Sequence, residues 1–176
     1  EWQGQRPVAV AIENSTASTT QWGLSSASVV LEALTEVGTS TELCLVYPAL
    51  AATPKVGPVA AGQDIYWRLL VGQQPIPVQR GGGQFDQNFL DYYSIRAVDA
   101  LEAGRTAFDC GSEWSNAPLW YTSGEAISNV LDELSISSVL TESRVTSAIS
   151  AASDSASSGA DAVLSLPALL PQEADG

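Results

Sequence analysis

The sequence predicts an α/β domain in three layers, a mixed and mainly parallel sheet with helices on both faces. Three observations carry that expectation. Short apolar runs alternate with amphipathic stretches, Pro and Gly punctuate the changeovers, and 45% of the 176 residues are hydrophobic, enough to bury a core on both sides of a sheet.

The elements follow in order. "RPVAVAIEN" places an unbroken apolar run, Val8 to Ile12, after a proline, and reads as a buried strand. "LSSASVVLEALTEVG" reads as a helix: Ser25 or Ser26 can cap it, Val29, Val30, Ala33, Leu34 and Val37 recur at helical spacing, and Gly38 stops it. "TELCLVYPAL" is a second strand ended by Pro48, and "AATPKVGPVAAG" is a loop with two prolines. "QDIYWRLLVG" is a short helix, "IPVQ" a third strand, and "FDQNFLDYYSI" a helix with Phe85, Phe89, Leu90 and Tyr93 on one face. "AVDAL" and "RTAFDC" are short and strand-like. "TSGEAISNVLDELSI" is a helix capped by Thr122 or Ser123, with Ile127, Val130, Leu131 and Leu134 as its apolar stripe. Residues 1–134 therefore form the domain, and the Ser- and Ala-rich residues 135–176 read as a tail or linker.

Composition narrows the function. Acidic residues number 20 against 7 basic ones, a net charge of −13 that repels nucleic acid and anionic headgroups, so no nucleic-acid partner is expected. The chain has no histidine, which removes Ser-His and Cys-His nucleophile activation and His-ligated zinc. Its two cysteines, Cys44 and Cys110, are too few for a cysteine-built metal site; they form one disulfide or remain separate buried thiols. No metal or cofactor is expected. No window approaches the ~20 apolar residues that span a bilayer. The polar opening "EWQGQRP" has no signal-peptide character and reads as the end of a linker.

In open α/β sheets ligands sit beyond the carboxyl ends of the strands. Those ends carry Glu13-Asn14, the loop from Pro48 to Gly62, and Arg80 followed by Gly81-Gly82-Gly83. The triple glycine stands where a phosphate loop would. However, no Lys and hydroxyl follow it, and a dinucleotide fingerprint would need a third Gly inside the helix. Gln84, Phe85 and Asp86 follow instead, and Asp86 would repel a phosphate at a helix start. The glycines read as a backbone corner, or as a place where a ligand nears backbone N–H groups. Asp99 with Glu102, or Asp109 with Glu113, could pair as acid and base, although chain spacing does not fix distance in space. Trp22, Trp67, Trp114, Trp120 and Tyr121 can pack, or stack on a sugar or peptide.

These blocks resemble a bacterial family, the YerB-like lipoproteins, whose N-terminal domain has no known function. "RPVAVAIEN" is similar to the family's RPxAVMIDN, "QWGLSSASVVLEALTEVG" to QSGLxxADIVYEVLVEGG, "VGPVAAGQ" to VGPVRSAR, "VQRGGGQ" to VHxGGSP, and "APLWYTSGEAI" to APHNLYTSTEN. The blocks keep the family's order over Arg6 to Leu134. The departures are specific. The family's two arginines fall on Ala60 and Gln63, its first histidine on Gln79, and its His-Asn on Leu119-Trp120. A basic, anion-suited site of typical relatives is thus replaced here by neutral or apolar side chains.

The resemblance implies an extracytoplasmic, lipid-anchored protein of a Gram-positive-type envelope, with a C-terminal domain after this one. The expected function is non-catalytic binding of a cell-wall fragment, a peptide or a protein, with membrane contact only through an anchor outside this chain. No catalytic residue is assigned. The cleft candidates are Glu13, Asn14, Gly57, Pro58, Arg80, Gly81, Gly82, Tyr121 and Thr122. Two alternatives stand beside this reading: an envelope glycan or peptide hydrolase or transferase with Glu13 as base, and a purely structural domain that positions its C-terminal partner.

Overall fold

A computed structural model of the chain describes residues 4–15, 21–35, 38, 40–110 and 120–140. Five strands form one sheet: β1 (Val8–Glu13), β2 (Val29–Leu34), β3 (Thr41–Tyr47), β4 (Ile76–Gln79) and β5 (Val98–Asp99), in the order β2-β3-β1-β4-β5. β3 runs antiparallel to both β1 and β2, whereas β4 runs parallel to β1 and β5 parallel to β4. The α/β class and the mixed sheet are observed, with the two kinds of pairing in balance. The helices are α1 (Asp64–Leu70), α2 (Gln84–Tyr92), α3 (Ala100–Ala103) and α4 (Gly124–Ser128).

Several elements differ from the sequence reading. The last helix, expected through Leu134, ends as α4 at Ser128; of the strand-like "AVDAL" only Val98–Asp99 is strand and Ala100 opens α3; and the strand-like "RTAFDC" begins in a 3₁₀ turn, Gly104–Thr106. The largest difference comes earlier in the chain. The segment expected to be a helix from Leu24 to Gly38 is a single 3₁₀ turn, Leu24–Ser26, followed by strand β2. Val29, Val30, Ala33 and Leu34 satisfy a helical period, but "VVLEAL" also alternates. In the fold Val29, Leu31 and Ala33 pack on the helix side of the sheet, while Val30 and Leu34 are exposed. The open edge of β3 supplies a hydrogen-bonding partner that an isolated segment lacks, and paired β-branched residues favour the strand. At the end of the hairpin Thr35 N–H donates to Ser40 O at 2.9 Å.

The alternation of β1 builds the three layers. Val8, Val10 and Ile12 meet Phe108, Trp120, Ile127, Val130 and Leu131 on one face. Ala9 meets Tyr66, Trp67, Leu70, Phe89 and Leu90 of α1 and α2 on the other. Each of the large side chains buried here contributes ~1.5–3 kcal/mol of transfer free energy. In α4, Ser123 caps the helix as expected, its Oγ accepting from Ala126 N–H at 3.2 Å. Residues past Leu134 continue the packed unit: Arg6 N–H donates to Ser138 O and Leu140 N–H to Gly4 O, both at 2.9 Å. Residues 141–176, most of the expected tail, lie outside the described residues.

Both cysteines are buried, and neither is in a disulfide. Cys44 belongs to the α1–α2 side of the sheet and Cys110 to the opposite core, so the sheet itself separates them. The disulfide alternative is corrected on that ground: the pairing would need neighbouring strands with side chains on one face. Desolvation also pushes the Cys44 thiol far up. Reduction should therefore add no hydrogens to the intact mass, and Cys44 should react with a thiol reagent only after denaturant unfolds the chain; a mass gain on reduction would refute the separation.

Candidate functional site

The parallel strands β1 and β4 pair only from Val8 to Val10 and from Ile76 to Val78. Beyond that they part, and the loop after β3 enters the gap. Ala60 N–H donates to Ala11 O at 2.9 Å, and Arg80 N–H donates to Ala60 O at 2.7 Å. Glu13 N–H donates to Pro58 O at 2.9 Å, and Gly62 N–H to Gly81 O at 2.7 Å. The expected convergence of three loops is thus real, but its cause is different. β3 runs antiparallel to β1, so its own carboxyl end lies at the far edge; the loop reaches the site by running back as a wedge.

Charged groups gather where the wedge emerges. Arg80 Nη2 lies 3.6 Å from Glu13 Oε1, with both side chains roughly one-third exposed. Glu42 is the register partner of Glu13 on β3 and so shares its face. Gln63 Nε2 donates to Glu42 Oε2 at 2.6 Å. Burial raises the Glu42 pKa and Glu13 adds to that rise, while the Gln63 hydrogen bond and Arg80 oppose it. The Tyr121 hydroxyl is pushed up by desolvation and then by Glu13.

Beside this strip is an aromatic pair. The Lys55 ammonium sits 4.7 Å from the Trp22 ring centroid and 4.9 Å from that of Tyr121. Trp22 is held there by its backbone, with its N–H donating to Gly57 O at 2.8 Å, and the residue is 46% exposed. Gly57 precedes Pro58 through a cis peptide bond, and both are buried.

The glycine loop does something else. Its helix buries Asp86 completely. Trp67 Nε1 donates to Asp86 Oδ1 at 2.5 Å, and Gln79 Nε2 donates to Asp86 Oδ2 at 3.0 Å and to Asp99 Oδ2 at 3.2 Å. Gly82 lies against this carboxylate: a Cβ there would stand 1.9 Å from Asp86 Oδ2. Across the bridge, a Cβ on Gly62 would stand 1.9 Å from Gln79 Oε1. Gly81, at φ 67°, gives its N–H to Asp99 at 2.9 and 3.0 Å. The glycines therefore wrap a buried carboxylate of the chain itself. Desolvation raises the Asp86 pKa, opposed by the Trp67 and Gln79 hydrogen bonds, with Asp99 and Asp64 raising it further.

Of the candidates from sequence, Glu13, Arg80, Tyr121, Gly57 and Pro58 come together at the edge. Asn14 turns to the hairpin, donating to Thr41 Oγ1 at 2.9 Å. Thr122 is buried and donates to Ala107 O at 2.6 Å, a structural bond. Gly81 and Gly82 serve Asp99 and Asp86. Asp99 caps α3, accepting from Leu101 N–H at 2.9 Å, so it is not an acid paired with Glu102, which instead meets Arg96 at 3.4 Å. Trp67 and Trp120 are core packing. Glu113 and Trp114, and with them Ala117 to Leu119, lie outside the described residues. Sequence reasoning missed Glu42, Gln63, Lys55 and the Asp86–Gln79 contact. The last had a signal: the family's arginine and histidine positions fall on Gln63 and Gln79, and both glutamines face carboxylates here.

Residues 1–137 match the family model described as "Protein of unknown function (DUF3048) N-terminal domain". Among solved structures, the crystal structure of YerB protein from Bacillus subtilis is similar, with 26% identity and a TM-score of 0.68. The match covers 77% of this chain and 46% of that one, so the chain spans less than half of its relative's length. No curated protein matches the sequence.

Two outcomes test this geometry. Gly82→Ala should lower stability by ~1–3 kcal/mol through overpacking against Asp86, read as the midpoint shift in urea. The pH dependence has a fixed sign. Asp86 and Glu42 both have raised pKa values in the fold, so the native state keeps protons that the unfolded chain has lost. The contribution of these two groups should be fully present below about pH 4, the unfolded carboxylate range, and should be lost as pH rises through their folded values. Asp86→Asn should flatten that fall while leaving the Glu42 part.

Proposed function

The chain belongs to the DUF3048 family of N-terminal domains, whose function is unknown, and from that premise we propose that it is a non-catalytic binding domain of an extracytoplasmic lipoprotein. Its ligand is a cell-envelope fragment, a peptide or a protein partner, taken at the carboxyl edge of the parallel strands. The carrying observation is the Trp22–Lys55–Tyr121 stack beside the Glu13–Arg80 pair. Flat aromatic faces next to hydrogen-bonding charges suit a sugar ring or a peptide, which bring one apolar face and several polar groups. The envelope part of the reading is supported by the sequence blocks shared with the YerB-like lipoproteins. Among the described residues, no helix is long and apolar enough to cross a membrane.

One observation favours a second reading, a hydrolase or transferase acting on envelope glycan or peptide. Glu13 and Glu42 stand opposite each other on one face, and burial raises Glu42. Carboxylates held in different environments are the usual equipment for acid–base work.

A thermal-shift screen of muropeptides, wall glycan fragments and short peptides separates the readings. A ligand at 100 times its Kd should add about 2.7 kcal/mol, several degrees for a domain of this size. The hit should be lost in Lys55→Ala and weakened in Glu13→Gln. Turnover that Glu13→Gln abolishes in a folded chain would replace the binding reading with the enzymatic one. Silence across the panel would leave the domain as a structural partner of the region that follows it.

A further inference from the structure

At the opposite, amino edge of the parallel strands lies a pocket of about 310 Å³. Segments leading into three strands meet there: Arg6 ahead of β1, Pro75 ahead of β4 and Arg96 ahead of β5. Two of the chain's 7 basic residues line it, and none of its lining residues is acidic. In a chain of net charge −13, that local excess of positive charge needs a reason.

The Arg6 guanidinium is fixed in the wall. Its Nε donates to Gln74 O at 2.7 Å, Nη1 to Ser137 O at 2.8 Å and Nη2 to Pro75 O at 2.7 Å. All three acceptors are neutral carbonyls, two N–H groups of the fork remain, and no carboxylate of the described residues is within ion-pair distance. Among the described residues Arg96 pairs only with Glu102, at 3.4 Å and with both side chains more than half exposed, a contact that exchanges at little cost.

The competing account is that these arginines merely answer the carbonyl ends of the neighbouring helices. Such an end carries about half a negative charge. Here the end of α2 is largely closed by backbone: Ser94 adopts a left-handed φ of 53°, and Ile95 N–H reaches back to Leu90 O at 2.8 Å. On the other side α4 has already ended at Ser128, and the turn at Ser135, φ 55°, is closed by Ile136 N–H donating to Leu131 O at 2.8 Å. With Glu102 counted against Arg96, the two guanidinium groups leave one net positive charge at this pocket. We infer that this pocket binds a compact oxyanion, a carboxylate or a phosphate, carried on a small ligand. The oxyanion meets Arg6 and Arg96, and the ligand's apolar flank rests on Val71, Ile95 and Ile136. The site shares no residue with the carboxyl-edge cleft and stands or falls independently of it.

The test is a ¹H–¹⁵N NMR titration of the 176-residue chain with sodium phosphate and, separately, sodium propionate, each against sodium chloride at matched ionic strength. The Arg6 Nε–H signal and the amides of Ile95 and Ser135 should shift saturably with at least one oxyanion, and which one responds assigns the head group. Arg6→Ala removes a clasp of the fold, so the exposed pair carries the mutational arm. Arg96→Gln should weaken binding about tenfold, the loss of one charged hydrogen bond. Glu102→Gln should strengthen it by removing the competing carboxylate, an effect no purely structural role of Arg96 produces. Shifts no larger than with chloride, or a Kd indifferent to both substitutions, would overturn the inference.

Discussion

β1 and β4 separate after three paired residues, and two strands that part inside a sheet leave backbone N–H and C=O groups that water cannot reach. Residues 58–62 resolve that constraint by lying in the gap and bonding to both sides. Much else follows from this placement. The wedge delivers Gln63 to the start of α1 beside Glu42, brings Gly62 against Gly82, and exposes the edge where Glu13 and Arg80 meet. It also positions Trp120, whose carbonyl accepts from Val59 N–H at 2.7 Å. The crevice in which an open α/β sheet commonly receives a ligand is here partly filled by the chain itself, and the candidate site is displaced to its rim.

The rim and the interior divide the polar work. Asp86 is fully buried, and its two acceptor oxygens are met by neutral donors, Trp67 and Gln79. Gln79 divides one amide between two carboxylates and leaves its Oε1 unpartnered against Gly62. A buried acceptor without a donor costs on the order of 1–3 kcal/mol. Glu42 with Gln63 repeats the pattern nearer the surface. At the rim, by contrast, formal cations persist: Arg80 beside Glu13, and Lys55 between two rings.

Much of this was legible in the chain. The apolar run of β1, the short strand "IPVQ", the helices after Gln63 and Gly83 and the Ser123 cap each follow from local chemistry that the fold leaves intact. The carboxyl-end loops were also legible, because strand ends and glycines mark them. The β2 segment was not: "VVLEAL" carries both periods, and only the free edge of β3 decides between them. Glu42 was hidden inside an apparently apolar strand, and its proximity to Glu13 is a fact of antiparallel register, which no local window contains. Asp86 was misjudged for a related reason. At a helix start next to glycines it reads only as a charge that would repel a phosphate, whereas burial and two donors turn it into the centre around which those glycines close.

The sequence by itself determined the composition of the layers, the acidic surface, the absence of histidine chemistry and the positions where the backbone must turn, because these depend on residue type and short-range periodicity. Tertiary structure alone decided which face each cysteine occupies, which way β3 runs, where the loop after it goes, and which carboxylates meet which amides. These depend on contacts between residues far apart in the chain. Their energies exist only once the sheet has brought the partners together and excluded the water that would otherwise satisfy them.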